Sequence, residues 1–375
     1  MDQLEACVNY LLKTTFVVYL INPLPRAAPW LNIFLLSAWL LFFINYCHLP
    51  IKMLLFSDRA LVRWVRTCLS VGCAIISFCC MLETAVKWRQ FAQIQQLRQQ
   101  INYLISQQLK AHLRGRKRRS FGYLKTRLLP LLLILIICES IKFSSVKNMT
   151  NTYFGTVTIV MGLRLRYFHA LSLMCEFNEY LCVLYETIDL LVTYNNTRPI
   201  CEFNVWRPHN RWELEQLNLL RLLYGRLFEF FQLINDCAGW SMTLIAQLAL
   251  SEFVCYTYWC LTYKLVNLGI GAVIFNLATI ISLGCLHYQW FGLAEKINRK
   301  GQNIAALSTQ LSKPLGSRRY NDLLLTFSIQ TLHQKLIVTA KDFIRIDLKS
   351  LSATMHVFVN YLVFLLQFTY IKTKA

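Results

Sequence analysis

The sequence contains no Cys-x-x-Cys pair and no His-Glu-x-x-His element, and its 7 histidines are scattered. These absences argue against a zinc site, because tetrahedral ligation needs donors at close, repeated spacing. The 14 cysteines fall mostly in apolar stretches (Cys68, Cys73, Cys79, Cys80, Cys138, Cys255, Cys260, Cys285) and read as small apolar residues rather than a disulfide framework. No nucleophile stands beside a base and no carboxylates cluster, so nothing points to an enzyme, and no metal or other cofactor is expected. Acids are the scarcest charge: 19 Asp and Glu stand against 39 Lys and Arg, a formal net charge of +20. On a soluble surface that excess would suit nucleic acid. Here it lies between apolar segments, where it reports membrane topology, and no nucleic-acid partner is expected. Met1-Asp2 opens with an acid and no small-residue pattern follows the apolar stretch near Val17, so no cleaved signal peptide is expected.

What the chain has in quantity is apolar sequence. Hydrophobic residues fill 56% of 375 positions and mean hydropathy is +0.41, which argues against a single soluble globular domain. Charge-free stretches run from Ala27 to Ile51, Leu265 to Ala294 and Ser350 to Ile371. At about 1.5 Å per residue each is long enough to cross a bilayer. Thr67 to Val86 is interrupted only by Glu83, and Cys237 to Tyr263 only by Glu252. Two weaker segments complete a set of seven: one carries Lys125, Arg127, Glu139 and Lys142 toward its ends, the other Arg164 and Arg166. Long basic side chains can snorkel from helix ends, so both are retained. The expectation is an all-α polytopic membrane protein in a lipid bilayer, one unit over 1–375, with spans near 31–48, 67–86, 124–142, 152–175, 237–263, 266–290 and 350–371. Val8 to Ile21, cut off by Pro23, Pro25 and Pro29, reads as a short interfacial helix with Lys13 at its wet side, or equally as a re-entrant or poorly ordered segment.

Charge sets the expected orientation. From Lys87 to Arg127 there are eleven Lys and Arg residues and no acid, including Arg114 to Arg119 as RGRKRR. By the positive-inside rule this loop after the second span is cytoplasmic, which puts the N-terminus on the same side. Glu295 to Lys349 agrees, with ten basic residues against four acids. Lys52, Arg59, Arg63 and Arg66 oppose it, but the Lys87 to Arg127 block is longer and free of acids. Asn148-Met-Thr is an N-glycosylation acceptor in an expected outside loop, while Asn195-Asn-Thr falls inside. Cytoplasmic even loops oppose the G-protein-coupled receptor arrangement, and neither a DRY-like triplet nor NPxxY is present. No internal repeat suggests a transporter.

The cytoplasmic connections, approximately 87–123, 176–236 and 295–349, carry apolar stripes at helical spacing. They are Phe91, Ile94, Leu97, Ile101, Leu104, Ile105 and Leu109; Phe177, Leu181, Leu184, Ile188 and Leu191; Leu214, Leu217, Leu220, Leu227, Phe230 and Ile234; and Leu325, Ile329, Leu332 and Leu336. They would lie on the inner leaflet or form a bundle beneath the membrane that packs subunits together. In the last span, His356, Asn360 and Gln367 share one helical stripe, which a plain anchor would not need.

The block DFIRIDLKSLSATMHVFVNYLVFLLQF, Asp342 to Phe368, resembles the C-terminal motif of insect gustatory receptors in the insect chemoreceptor superfamily. Phe343, Ile346, Asp347, Leu351, Tyr361, Gln367 and Phe368 match the family pattern, while Asn360 stands where Thr is usual and Lys341-Asp342 where small residues are common. The resemblance implies a homo- or heterotetrameric ligand-gated cation channel of the plasma membrane that detects a small-molecule tastant. Each final helix would line one quarter of the pore, with an outward-facing pocket among spans two to six. Carried onto this sequence, it places Phe368 as the apolar gate and Gln367 as the amide exposed on opening, with Asn360, Tyr361 and Phe364 as the other candidate pore residues on the turns before them. An interhelical hydrogen bond is the other reading of Gln367.

The candidate ligand-pocket residues are Arg164, Glu252, Tyr256 and Trp259. A lone carboxylate such as Glu252 inside a span needs a cavity or a cation, and Arg164 or Arg166 would serve; pairing is the simpler account.

Overall fold

The computed structural model describes residues 14–21, 29–55, 61–109, 128–144, 151–196, 209–262, 269–311, 318–340 and 344–374. Its helices are α1 (Pro29–Leu55), α2 (Leu61–Val86), α3 (Trp88–Tyr103, prolonged by π-helical turns over Leu104–Leu109), α4 (Leu129–Ser144), α5 (Asn151–Asn196), α6 (His209–Leu261), α7 (Ile270–Gln310), α8 (Arg318–His333) and α9 (Leu348–Lys374). A two-residue antiparallel ladder joins β1 (Thr339–Ala340) to β2 (Ile344–Arg345). Short connections such as 334–338 and 346–347 apart, the described residues are otherwise helical.

Among the described residues, five helices hold stretches long and apolar enough to cross a membrane: Trp30–His48, Thr67–Val86, Trp212–Leu261, Ile270–Gln310 and Leu348–Gln367. They correspond to the five stronger segments of the sequence. The two weaker ones form helices too, but α4 is described over only 16 residues and α5 carries Arg164 and Arg166. Helices α5, α6 and α7 contain 46, 53 and 41 residues. At 1.5 Å per residue they run to about 69, 80 and 62 Å, at least twice a hydrocarbon core of about 30 Å. Much of the expected anchor is therefore a continuation of spans rather than a set of separate helices.

The surplus length packs on itself. Phe177, Leu181, Leu184 and Ile188 of α5 and Leu217, Leu220, Leu227 and Phe230 of α6 are fully buried, and α3 adds Phe91, Ile94, Leu97 and Ile101. The Phe177 ring lies 5.0 Å from Phe231 and 6.3 Å from Phe230. Three of the four stripes thus bury most of their apolar side chains within one chain; the side chain of Leu109 lies outside the described residues. A polar cluster closes the rim, where Glu176 accepts from Arg98 and, at 2.7 Å, from the Tyr180 hydroxyl. Burial and then this carboxylate push the Tyr180 phenol above its ordinary value. Burial pulls Arg98 down, but the same carboxylate outweighs it and holds the guanidinium above its usual value.

The fourth stripe is corrected. Helix α8 buries Tyr320, Leu324, Phe327 and Thr331, with Phe327 edge-on to Tyr224 at 6.0 Å. Leu325, Ile329 and Leu332 are left exposed, and Leu336 is buried beyond the end of the helix. The helical period is as expected, but the inward face is rotated by about one residue.

Within the expected N-terminal helix, residues 14–18 form a helical turn packed along the bundle with Thr14 and Val18 exposed, and Leu20 and Ile21 after it are almost wholly buried. The turn stops at Leu20, whose φ of 49° is left-handed, with Ile21 N–H donating to Phe16 O at 2.7 Å and Leu20 N–H to Val17 O at 3.0 Å. This is a Schellman stop built without glycine, at a cost of about 1–2 kcal/mol. The segment is held from two sides, since Trp39 donates to Val18 O at 2.9 Å and Arg166 to Ile21 O at 3.1 Å. Val8 to Lys13 and Asn148 lie outside the described residues. Gly162 of α5 lets Tyr19 approach; a Cβ there would sit 2.8 Å from the tyrosine ring.

Candidate functional site

Helix α9 begins on a built platform. Asp347 precedes it and accepts the Ser350 backbone N–H at 2.8 Å and its hydroxyl at 2.9 Å, an N-cap on the helix start. Desolvation pulls this carboxyl up, but the Ser350 bonds, Arg345 and Lys349 outweigh it and hold the group below its ordinary value. The strands before it are clamped by the buried Asn298 of α7. Its amide oxygen accepts Val338 N–H at 3.0 Å and its nitrogen donates to Ile346 O at 3.4 Å, while Tyr224 of α6 donates to Gln334 O at 2.6 Å. Burial raises the Tyr224 phenol above its usual value.

Beyond that platform the helix is nearly bare. None of the residues from Leu348 to Gln367 is buried. The half-exposed positions Leu351, Thr354, Phe358, Leu362 and Leu365 recur at helical spacing and form one face. With that face α9 docks on α6 and α7, where Phe358 meets Phe253 of α6 nearly perpendicularly at 6.0 Å. At about 100° per residue, His356, Asn360 and Gln367 point roughly opposite to Phe358, and all three are exposed. Tyr361 and Phe364 project from a flank and are also exposed. Phe368 continues the helix, but its side chain lies outside the described residues.

The second locus lies among α2, α4, α5, α6 and α7. Arg164 Nη2 donates to Glu252 Oε2 at 2.9 Å, and both side chains are buried. Cys73 donates its thiol to Glu252 Oε1 at 3.6 Å. Lys142 pairs with Glu139 at 2.5 Å one turn away on α4. Tyr256, one turn beyond Glu252, meets Trp259 at 5.5 Å and Phe275 of α7 at 6.3 Å. The four sequence-derived pocket residues are thus brought to one region. Tyr167, Phe253 and His287 belong there as well and were not anticipated: Tyr167 stacks on His287 at 5.2 Å, and Phe253 meets it at 6.5 Å. Single aromatic residues in apolar helices carry no spacing signal that would have found them.

Arg166 has a different job. Two residues on, it projects about 200° away from Arg164 and bonds Thr84, Ser241 and Ile21 O, with Glu83 at 3.9 Å. Glu83 in turn accepts Ser241 N–H at 2.9 Å and Lys87 at 2.7 Å. This network joins α2, α5, α6 and the 14–21 segment.

A groove of about 430 Å³ between α3 and α6 is lined by Gln93, Gln96, Gln100 and Gln232, beside the Arg226–Glu229 pair. It lies some twenty residues along α6 from Glu252, about 30 Å away.

A family model described as 7tm Chemosensory receptor matches residues 24–372, nearly the whole chain. The chain belongs to the 7tm chemosensory receptor family. Among curated proteins it resembles gustatory receptor 23a of Drosophila melanogaster, 37% identical over 166 residues; the match spans 42% of this chain and 42% of that receptor. The solved insect olfactory receptor OR5 from Machilis hrabei shares its fold, with a TM-score of 0.64 at 12% identity over 96% of this chain and 99% of that one. Its complex with eugenol gives a TM-score of 0.65 at 12% identity over 96% and 98%. This chemosensory receptor is therefore a multi-pass membrane protein and not an enzyme.

Proposed function

We propose that this receptor is a subunit of a homo- or heterotetrameric, ligand-gated, non-selective cation channel. It would sit in the plasma membrane of gustatory neurons and detect a small-molecule tastant that drives acceptance or avoidance. The observation that carries this reading is the bare α9 helix, docked by one face with its polar stripe turned away from its own chain. A helix free of charge from Ser350 to Ile371 and displaying His356, Asn360 and Gln367 to lipid would leave polar groups unpaired in hydrocarbon. Copies around a shared axis would instead turn that stripe toward water. In this arrangement Gln367 and Asn360 line the path, Tyr361 and Phe364 pack between subunits, and Phe368 closes it by dewetting. The seven-span topology with a cytoplasmic N-terminus is part of the same reading, supported by the acid-free Lys87 to Arg127 block.

The ligand acts at the Arg164–Glu252 region. Glu252 is followed directly by Phe253, whose ring touches Phe358 in the docking face of α9. Ligand binding that shifts α6 therefore bears on the pore helix through a packed aromatic contact. The gustatory relative and the eugenol complex of the olfactory receptor support a small-molecule stimulus. The test is whole-cell recording from cells expressing the receptor with G-protein signalling blocked. Tastant-evoked cation current is expected, and responses that vanish with the block would contradict the channel reading.

A further inference from the structure

Among the described residues, the buried region around Arg164 contains two polar atoms without partners, Arg164 Nε and His287 Nε2, and their chemistry restricts what fits. Arg164 commits Nη2 to Glu252, but its Nε–H has no hydrogen-bond acceptor. His287 places Nδ1 3.0 Å from Leu283 O. A carbonyl only accepts, so Nδ1 carries the proton and the neutral ring leaves Nε2 as an acceptor. Nε2 is buried and has no partner. Tyr167 links the two, one turn from Arg164 on α5 and stacked on His287 with 26° between planes. Each such orphan costs about 1–3 kcal/mol, which a bound group of the right polarity would offset.

We propose that this site takes an uncharged aromatic molecule with a hydroxyl that donates to His287 Nε2 and an oxygen that accepts from Arg164 Nε–H. The proposal rests on the reading of this region as the ligand site. The charge balance disfavours ions. Glu252 and Glu139 are already paired with Arg164 and Lys142, so a cationic ligand finds no spare carboxylate, and an anion that captured Arg164 would leave Glu252 buried and unpaired. The count of orphans disfavours sugars: a polyol must pair a hydroxyl on nearly every carbon, and of the surrounding rings Phe253 and Phe291 pair none of them and Tyr167 offers a single phenol. Those rings instead suit an aromatic body, edge-on or offset.

The test uses the full chain and four probes: 2-phenylethanol, ethylbenzene as its analogue without the hydroxyl, sucrose and denatonium. Binding is read as a melting shift of the purified receptor in detergent, and gating as current in cells. 2-Phenylethanol is expected to stabilise the receptor at lower concentration than ethylbenzene. His287→Phe, which keeps the stacked ring but loses Nε2, is expected to cut that preference roughly tenfold. Arg164→Lys keeps a cation for Glu252 but loses the Nε–H donor and should act in the same direction. If His287→Phe fails to fold, His287→Gln, which restores an acceptor, should retain the preference. Stabilisation by 2-phenylethanol without any current would sustain the ligand class and sink the channel reading. Sucrose or denatonium opening the channel while 2-phenylethanol neither binds nor opens it would do the reverse. A hydroxyl preference unchanged in His287→Phe, or no melting shift with the aromatic alcohol, overturns the ligand class.

Discussion

The extensions of α5 and α6 and the final helix are both apolar and both helical, yet they differ completely in how their surfaces are satisfied. In the extensions, Phe177, Leu184, Leu227 and Phe230 have essentially no exposure. In α9 no residue between Leu348 and Gln367 is buried. The extensions are covered by their own chain, whereas the proposed pore helix α9 is left largely uncovered by it. On the proposed reading, neighbouring copies complete that surface. The exposed Leu325, Ile329 and Leu332 of α8, which leads into α9, extend that unfinished surface.

The largest effects should come from the finished region. Phe230→Ala is expected to cost about 3–5 kcal/mol through cavity formation, seen as a lower melting temperature and reduced surface expression. Glu252→Gln should cost a similar amount, about 3–5 kcal/mol, because it leaves Arg164 buried and unpaired; Arg164→Met added to it should recover much of that stability. A double variant no more stable than Glu252→Gln would mean that the charge pair is not the stabilising unit.

Between the two regions stands Asn298. Asn298→Ala should cost about 1–3 kcal/mol for each backbone group it orphans at Val338 and Ile346. It should also blur the start of α9, read as faster hydrogen exchange over 336–352. Asp347→Ala should cost about 1 kcal/mol as a lost cap. The folded Asp347 carboxyl titrates below its unfolded value, so its contribution is present above the unfolded range and is lost as pH falls through the folded one. Wild type and Asp347→Asn should therefore converge in melting temperature on acidification. The smallest stability effect belongs to the bare helix, where Gln367→Leu should leave detergent melting unchanged while altering conductance.

How much of this was legible in sequence depends on what each feature rests on. Apolar runs and 3.6-residue spacing are local, and they located the five long apolar helices and the inward face of three stripes, down to individual residues such as Leu181 and Leu220. The α8 stripe failed because Leu324 and Leu325 are both apolar, and only contact with Tyr224 decides which neighbour turns inward. Likewise Arg164 and Arg166 looked interchangeable as partners for Glu252. Their separation by about 200° around α5 assigns one to Glu252 and the other to the Glu83 network. Asp347 stood out as a motif position, but its capping of α9 became visible only with Ser350 in place. Asn298 is set among Lys296, Arg299 and Lys300, and no local spacing distinguishes it from a polar surface position.

The central claim, that the polar stripe of α9 faces a conducting path, is tested most directly by cysteine accessibility during agonist-evoked current. Gln367→Cys and Asn360→Cys should be modified by a charged methanethiosulfonate, changing the current, whereas Leu362→Cys on the docking face and the wild type should not respond. Modification at Leu362→Cys with Gln367→Cys and Asn360→Cys silent would contradict the claim.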